Sequence, residues 1–336
     1  MSRGVAVVTG GSAGVGRATA IEFARRGYDV AVLARGRAGI DAAVREAEGL
    51  GVRAVGLEVD VRDFDSVLGA AKQVEDTLGP IDAWVNNAMT TVFSFIEEVS
   101  PGEFERATEV TYLGQVHGTM VALRLMEPRD RGTIVNVGSA LAFVGIPLQS
   151  AYCGAKFACR GFFESVRAEL IHKRSKVRIA MVHLPAVNTP QFGWCENRMP
   201  HYPQPVPPIY QPEVPARRIV EAAERGRSSI VGSWNRLLIG VAAVAPTVVA
   251  HFAARTCVDS QQTGKPPSST PPNLLEPRDV TEDFGAHGIF DREAKGVRSR
   301  QFLKGLPHTA AMFALAVKDT VADRMASHGS HDPSRT

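Results

Sequence analysis

The sequence predicts an α/β fold, a doubly wound parallel sheet of about seven strands with helices on both faces, followed by a mostly helical and irregular C-terminal extension. Two observations predict this fold. Short, continuous apolar runs alternate with amphipathic stretches of helical periodicity over residues 1–235, as in a parallel sheet that is covered on both faces. A glycine-rich segment, TGGSAGVG at 9–16, directly follows the first apolar run.

The elements follow in order along the chain. The apolar runs predict strands at GVAVVTG, DVAVLAR, VRAVGLEVD, DAWVNNA, GTIVNVGSA and VRIAMVHL, with SSIVGSW at 228–234 as a seventh. The segments between them predict helices, among them GVGRATAIEFARRG after the first strand, one long helix over 104–126, and SAYCGAKFACRGFFESVRAELIHK. This order places the glycine-rich segment between the first strand and the first helix.

Composition narrows the class of protein. The chain has 336 residues, 44% of them hydrophobic, and a net charge of +3, so it can bury a sizeable core and gives no reason to expect a nucleic-acid partner. Its four cysteines form no CxxC pair, and no secretory apolar segment opens the chain. We expect a reduced, cytoplasmic protein, with membrane association as an alternative. His328 and His331 lie in a polar tail without a cage of acids or cysteines around them. Such histidines are usually solvated, and we predict no metal.

The glycines at 9–16 predict a phosphate-binding turn. Gly10 permits a sharp turn, and Gly14 and Gly16 remove side chains where the backbone would approach a pyrophosphate and where the helix packs close to the strand. The helix N-terminus then offers free N–H groups to phosphate. Such a loop is typical of Rossmann-type dinucleotide binding, although the spacing is GxxxGxG rather than GxGxxG. A glycine-rich connector without a ligand is the alternative.

Arg35 follows the second predicted strand, where the cofactor ribose is recognised. The sequence LARGR has no Asp or Glu there. A carboxylate would accept a hydrogen bond from a 2′-hydroxyl, whereas a guanidinium pairs with a 2′-phosphate. Arg35, with Arg37 or Arg17 as helpers, therefore predicts NADP(H) rather than NAD(H). A solvated surface arginine is the alternative.

Three residues predict acid–base chemistry. Tyr152 and Lys156 are four residues apart and share a helix face, and Ser139 ends a predicted strand. A nearby ammonium favours the phenolate of a tyrosine, which can then exchange a proton with a substrate oxygen. Ser139 can hydrogen-bond the same oxygen. A Y-x-x-x-K pair alone is weak, because such pairs occur on many solvated helices.

Together these motifs resemble the short-chain dehydrogenases/reductases, in their compact single-domain branch, over about residues 3–235. The resemblance rests on TGGSAGVG, DV at 60–61, NNA at 86–88, Ser139, the Tyr152–Lys156 pair and PAVNTP at 185–190. It implies that Asp60 and Val61 contact adenine, that Asn87 and Ala88 underlie the cofactor, that Val187 and Thr189 hold the nicotinamide carboxamide, and that Lys156 also binds ribose. The predicted cofactor-binding residues are Gly10, Ser12, Ala13, Gly14, Val15, Gly16, Arg35, Asp60, Val61, Asn87, Ala88, Tyr152, Lys156, Val187 and Thr189.

The chain departs from this family pattern at three positions. Met89 replaces the glycine of NNAG, and Ala186 replaces the glycine of PG. Thr111 stands where many members carry an asparagine that helps to anchor a proton-relay water. The resemblance makes the backbone carbonyl the important acceptor there, so we count Thr111 with the catalytic residues and expect catalysis to survive. A packing role for Thr111 and loss of the relay are the alternatives.

The remaining segments are less familiar. We divide the chain into a catalytic domain at 1–235, with a proline-rich substrate lid at 191–216 that includes Phe192, Trp194, Tyr202 and Tyr210, and a C-terminal extension at 236–336. A packed surface loop or a partner ligand is the alternative to the lid. In the extension, 237–254 is an uncharged helical segment, 263–279 an irregular linker and 308–326 an amphipathic helix. The uncharged segment predicts a buried helix or helical pair, or a dimer contact. A peripheral membrane contact and, at the lower limit of length, a membrane-spanning helix are the alternatives.

The sequence thus predicts an NADP(H)-dependent oxidoreductase that interconverts a carbonyl and a secondary alcohol, on a lipophilic small molecule, in a homo-oligomer. One alternative is a cofactor-binding scaffold of the same fold with little turnover. Another is epimerisation or dehydration on a bound cofactor.

Overall fold

The computed structural model describes residues 2–296, and the predicted helix at 308–326 lies outside them. The strands, in chain order, are β1 Val5–Thr9, β2 Asp29–Ala34, β3 Ala54–Glu58, β4 Ile81–Asn86, β5 Val92–Phe93, β6 Thr133–Ser139, β7 Arg178–Leu184, β8 Glu196–Asn197 and β9 Ser229–Ile230. The central sheet has seven parallel strands in the order β3-β2-β1-β4-β6-β7-β9, which confirms the predicted doubly wound sheet. The short strands β5 and β8 pair with each other outside the main sheet.

Helices cover both faces of this sheet. They are α1 Gly14–Arg25, α2 Arg37–Glu48, α3 Phe64–Leu78, α4 Pro101–Thr108, α5 Gly114–Met126, α6 Ser150–His172, α7 Gln191–Trp194, α8 Glu213–Arg225, α9 Ser233–Val244 and α10 Pro246–Ser260. On one face α1, α2 and α8 pack on the sheet, and on the other α3, α5 and α6 do. The alternation within β1 shows the division, because Val5 and Val7 face one layer and Ala6 and Val8 the other.

The predicted long helix over 104–126 differs from the structure. The helical segment begins at Pro101, where Ser100 and Glu103 form a capping box. It is then interrupted by a π-helical turn at Glu109–Leu113, which separates α4 from α5. Apolar periodicity does not report such a turn, because the side chains on either side still face the core.

The predicted apolar segment at 237–254 forms a helical pair rather than one helix. Pro246 begins α10, where its missing N–H costs nothing, and it ends the preceding helix at Val244. Because α9 begins at Ser233, it crosses the predicted domain boundary at 235. Within residues 2–296, no helix is both long enough and apolar enough to cross a membrane. The predicted linker at 263–279 contains no helix or strand and lies against the body of the molecule.

Candidate active site

A cavity of about 370 Å³ lies at the carboxyl ends of the parallel strands, where doubly wound sheets bind ligands. It is lined by every predicted catalytic and cofactor-binding residue except Gly16 and Thr111. At one side, here called the β6 end, are Ser139, Tyr152 and Lys156. At the other, here called the β2 end, are Arg35, Asp60 and Val61.

The glycine loop is held close to the ends of β2 and β4. Gly10 has a φ of +62°, and a Cβ there would lie 2.8 Å from Cα of Ala88. A Cβ on Gly16 would clash with the carbonyl oxygen of Gly10. Asn87 fixes the turn, because its Nδ2 donates to the carbonyls of Thr9 (3.0 Å) and Gly10 (3.1 Å).

The same loop fits a bound dinucleotide phosphate. The first turn of α1 has N–H groups without intrahelical acceptors, and it opens at the cavity beside Ala13, Gly14 and Val15. One of these N–H groups, that of Gly14, donates to the carbonyl of Gly285 at 3.0 Å. The missing side chains leave a cradle there, since a Cβ on Gly14 would lie 3.3 Å from Thr189. This is the arrangement in which helix N-termini bind phosphate.

At the β6 end, sheet and helix bring three side chains together. Ser139 lies close enough to the Tyr152 hydroxyl to lower its pKa. The Oγ of Ser139 accepts from the N–H of Leu141 at 3.1 Å, so its own O–H remains a donor. Lys156 is 1% exposed, donates from Nζ to the carbonyl of Val137 at 2.8 Å, and lies 5.6 Å from the centroid of the Tyr152 ring.

Burial dominates the electrostatics of this end. It raises the pKa of Tyr152, against the effect of Ser139, which lowers it. Burial also lowers the pKa of Lys156. Tyr152 is therefore a neutral phenol in this state and can donate a proton to an oxygen beside Ser139. Positive charge beside the ring would favour its phenolate.

Thr111 lies behind the cavity wall, in the π-helical turn. Its hydroxyl donates to the carbonyl of Thr90 at 2.9 Å and accepts from the N–H of Thr90 at 3.0 Å. Its own carbonyl accepts from the thiol of Cys159 at 3.3 Å. The side chain thus ties α4–α5 to the segment after β4, and the carbonyl predicted to serve a relay is turned toward α6.

The proline-rich segment lies over the cavity in part. Phe192, Trp194 and residues 204–208 line it. Tyr202 and Tyr210, which we expected near the substrate, do not line the cavity. Tyr202 packs on Phe290, with ring centroids 6.4 Å apart. Tyr210 exchanges backbone hydrogen bonds with the 186–188 segment. The covering segment ends before 216, because α8 begins at Glu213.

At the β2 end, Arg35 lines the cavity but its helpers do not. The guanidinium of Arg35 donates to the carbonyls of Asn273 (2.6 Å) and Leu275 (2.7 Å). Arg17 is paired with Glu46, and Arg37 with Asp41.

Asp60 also has partners at this end. Its carboxylate accepts from Arg62 and from the buried Arg106, each at 3.1 Å.

The linker at 263–279 contributes to the cavity wall, which the sequence did not predict. Two groups of residues line the cavity from this part of the chain: Asn273, Pro277, Arg278 and Asp279 from the predicted linker, and Leu238, Phe252 and Cys257 from the helical pair, with Trp234 at the start of α9. The linker carries no periodicity and only the composition of a loop, so no sequence signal identifies its contact with the cavity.

Comparison with known proteins agrees with this architecture. Residues 4–196 match the family model described as short chain dehydrogenase. The chain belongs to the short-chain dehydrogenase family. It is therefore an oxidoreductase of a family that uses nicotinamide nucleotides and acts on small molecules.

Several relatives in this family are similar over much of the chain. The uncharacterized oxidoreductase YxnA of Bacillus subtilis is 29% identical over 95% of this chain and 89% of its own, so the similarity extends into the C-terminal extension. The 3-dehydrosphinganine reductase of Danio rerio is 31% identical over 66% of this chain and 68% of its own. Estradiol 17-beta-dehydrogenase 11 of Homo sapiens is 30% identical over 49% and 55%, respectively.

Proposed function

We propose that this short-chain dehydrogenase is an NADP(H)-dependent enzyme that interconverts a carbonyl and a secondary alcohol. One observation carries the proposal: Ser139, Tyr152 and Lys156 line the same cavity as the glycine loop. The bound cofactor supplies or accepts the hydride. The protein has to hold the substrate oxygen and move one proton.

Each of the three side chains has a role in that step. Ser139 donates a hydrogen bond to the substrate oxygen and orients it. In the reductive direction Tyr152 gives its proton to that oxygen, as a general acid. Lys156 stabilises the tyrosinate left behind, since its Nζ lies near the Tyr152 ring. Thr111 retains its backbone carbonyl, and we expect turnover without the family's asparagine.

The choice of NADP(H) rests on Arg35. It lies on the cavity wall directly after β2, and a guanidinium can pair bidentately with a 2′-phosphate. In the oxidoreductase proposed here, Asp60 and Val61 border the adenine, and Val187 and Thr189 border the nicotinamide.

The substrate we propose is lipophilic. The cavity is lined by Phe192 and Trp194 of the proline-rich segment and by Leu238 and Phe252 of the helical pair, which makes much of its wall apolar. The relatives named for 3-dehydrosphinganine and estradiol support a lipid-like carbonyl compound or alcohol.

We also propose a homo-oligomer that pairs through α5 and α6, which expose Met120 and Phe157. Sedimentation of Phe157→Glu, with a lower mass than wild type expected, tests this pairing. A peripheral membrane contact is proposed through 237–254, where Leu237 and Val244 are exposed. Flotation of the protein with phospholipid vesicles tests that contact.

The experiment that tests the catalytic proposal is NADPH oxidation with a panel of long-chain and polycyclic ketones. We expect Tyr152→Phe to lower kcat by about 10²- to 10⁴-fold while NADPH binding changes less than threefold. Tyr202→Phe is the matched control, because it removes the same hydroxyl from a residue outside the cavity lining. Full activity in Tyr152→Phe would refute the assignment, and binding without turnover across the panel would favour a scaffold.

A further inference from the structure

A segment of the C-terminal extension, residues 273–285, lies across the β2 end of the cavity and is called the strap here. Arg35 and Arg106 donate to its carbonyls at 273–275, with Arg106 Nε reaching the carbonyl of Leu274 at 2.9 Å. Further along, the N–H of Gly39 donates to the Asp279 carbonyl at 3.1 Å, and the N–H of Gly14 donates to the Gly285 carbonyl at 3.0 Å. The strap is thus fixed to the end of β2 and to α4, α2 and α1.

Asp279 brings a carboxylate into the cavity from this strap. The residue is 5% exposed and lines the cavity together with Ser12 and Arg35. The carboxylate lies over the first turn of α2, where any side chain on Gly36 or Gly39 would overlap it. Two glycines therefore leave the space that the carboxylate fills.

One oxygen of this carboxylate has no partner. Oδ2 of Asp279 is buried and makes no hydrogen bond with any described residue. Burial raises the pKa of Asp279, while the Ser12 hydroxyl and the charge of Arg35 act in the opposite direction and that of Asp283 adds to the rise. A buried, unpaired carboxylate oxygen is costly, and a hydroxyl donor entering the cavity would remove that cost.

The position of this carboxylate in the fold indicates which ligand hydroxyl would donate to it. In doubly wound folds the ribose 2′-position is recognised at the end of β2, by an acidic residue when that position carries a hydroxyl. Here β2 ends at Ala34 and is followed by Arg35, with no acid nearby in the sequence. Asp279 supplies the acid from the far end of the described chain, beside the arginine.

We propose that Asp279 is a cofactor-discriminating residue, whose carboxylate accepts a hydrogen bond from a ribose 2′-hydroxyl and opposes a 2′-phosphate. This inference rests on the proposed nicotinamide-nucleotide function. Arg35 and Asp279 then act against each other: the guanidinium favours the phosphate and the carboxylate repels it. The strap strengthens the second effect, because its carbonyls already accept one hydrogen bond from each of Nη1 and Nη2 of Arg35 and one from each N–H of Ala38 and Gly39. A 2′-phosphate would have to share or replace these bonds.

The test is a fluorescence titration of the full-length protein with NADPH and with NADH, without substrate. We expect Asp279→Asn to bind NADPH about tenfold more tightly than wild type does, which corresponds to about 1.4 kcal/mol of binding free energy. The variant should bind NADH as tightly as wild type does, or more weakly. Glu282→Gln is the matched control, since it makes the same charge change at an exposed strap position outside the cavity lining, and both affinities should stay within twofold of wild type. For Arg35→Ala we expect weaker NADPH binding only.

The outcomes separate the inference from the function on which it rests. If wild type binds both nucleotides and Asp279→Asn leaves their affinity ratio unchanged, or shifts both equally, the role of Asp279 is overturned and the oxidoreductase proposal stands. If wild type binds neither, both are overturned. Asp279→Ser, which is smaller and also uncharged, provides the same comparison if the asparagine variant does not fold.

Discussion

The two ends of the cavity are built in different ways. At the β6 end, Ser139 closes a strand and Tyr152 and Lys156 lie on the helix that follows it, so the sheet and the helix hold all three. At the β2 end, the wall is completed by the strap, which has no helix or strand and is held largely by side-chain donors from the body. The β6 end therefore depends on local structure, and the β2 end on contacts between distant parts of the chain.

The largest effect we expect concerns the glycine loop, which both ends share. Gly16→Ala should lower the free energy of unfolding by about 3 kcal/mol and weaken nucleotide binding strongly, because the added Cβ clashes with backbone rather than with a movable side chain. Thermal unfolding and NADPH titration measure the two effects. Gly154→Ala is the control, since nothing lies within 4 Å of a Cβ on this exposed helical glycine, and that variant should be as stable as wild type or more so. Equal stability of both variants would contradict the packing argument.

The second prediction concerns pH and the β6 end. His183 of β7 is buried, with its ring 4.7 Å from that of Phe143 and its Nδ1 3.2 Å from the Ser139 carbonyl, and burial lowers its pKa to about 4. The unfolded chain binds a proton near pH 6.5 and the folded chain does not. The contribution of His183 to the free energy of unfolding is therefore fully present above pH 6.5. About 3 kcal/mol of it is lost as the pH drops toward 4.

His183→Gln removes this titration and should flatten the dependence of the melting temperature on pH between 6.5 and 4, whereas His172→Gln, at an exposed position of α6, should not. An unchanged pH dependence in His183→Gln would show that other groups control acid unfolding.

A third, smaller effect should be confined to the β2 end. Arg106→Met removes donors to the strap carbonyls at 274 and 275 and to Asp60. We expect the free energy of opening the strap to fall by about 2 kcal/mol, which corresponds to about 30-fold faster amide exchange over 273–285. Exchange in β6 should stay unchanged. Arg62→Met, which also pairs with Asp60 but does not bond to the strap, serves as control. Faster exchange at both ends would mean that they are not independent.

This difference explains what the sequence could and could not predict. The strand runs, the glycine loop and the Tyr152–Lys156 spacing report local structure, and the parallel sheet with its seventh strand at Ser229–Ile230 was predicted from them. The absence of an acid near Arg35 in the sequence favours NADP(H), but in the folded chain Asp279 lies beside that arginine. A loop without periodicity gives no indication of where it docks. The π-helical turn was missed for a related reason, since it leaves the apolar pattern intact.

The smallest effect we predict concerns Thr111 and tests whether its side chain is structural. Thr111→Val keeps the shape and the backbone carbonyl but leaves the N–H and carbonyl of Thr90 without their partner. It should lower the free energy of unfolding by about 1 to 2 kcal/mol and leave kcat of the folded enzyme within about threefold. Thr108→Val, whose exposed hydroxyl bonds only within its helix, should change stability by less than about 0.5 kcal/mol. A large loss of kcat at unchanged stability would instead place the Thr111 hydroxyl in the proton path, because the carbonyl is the same in both proteins.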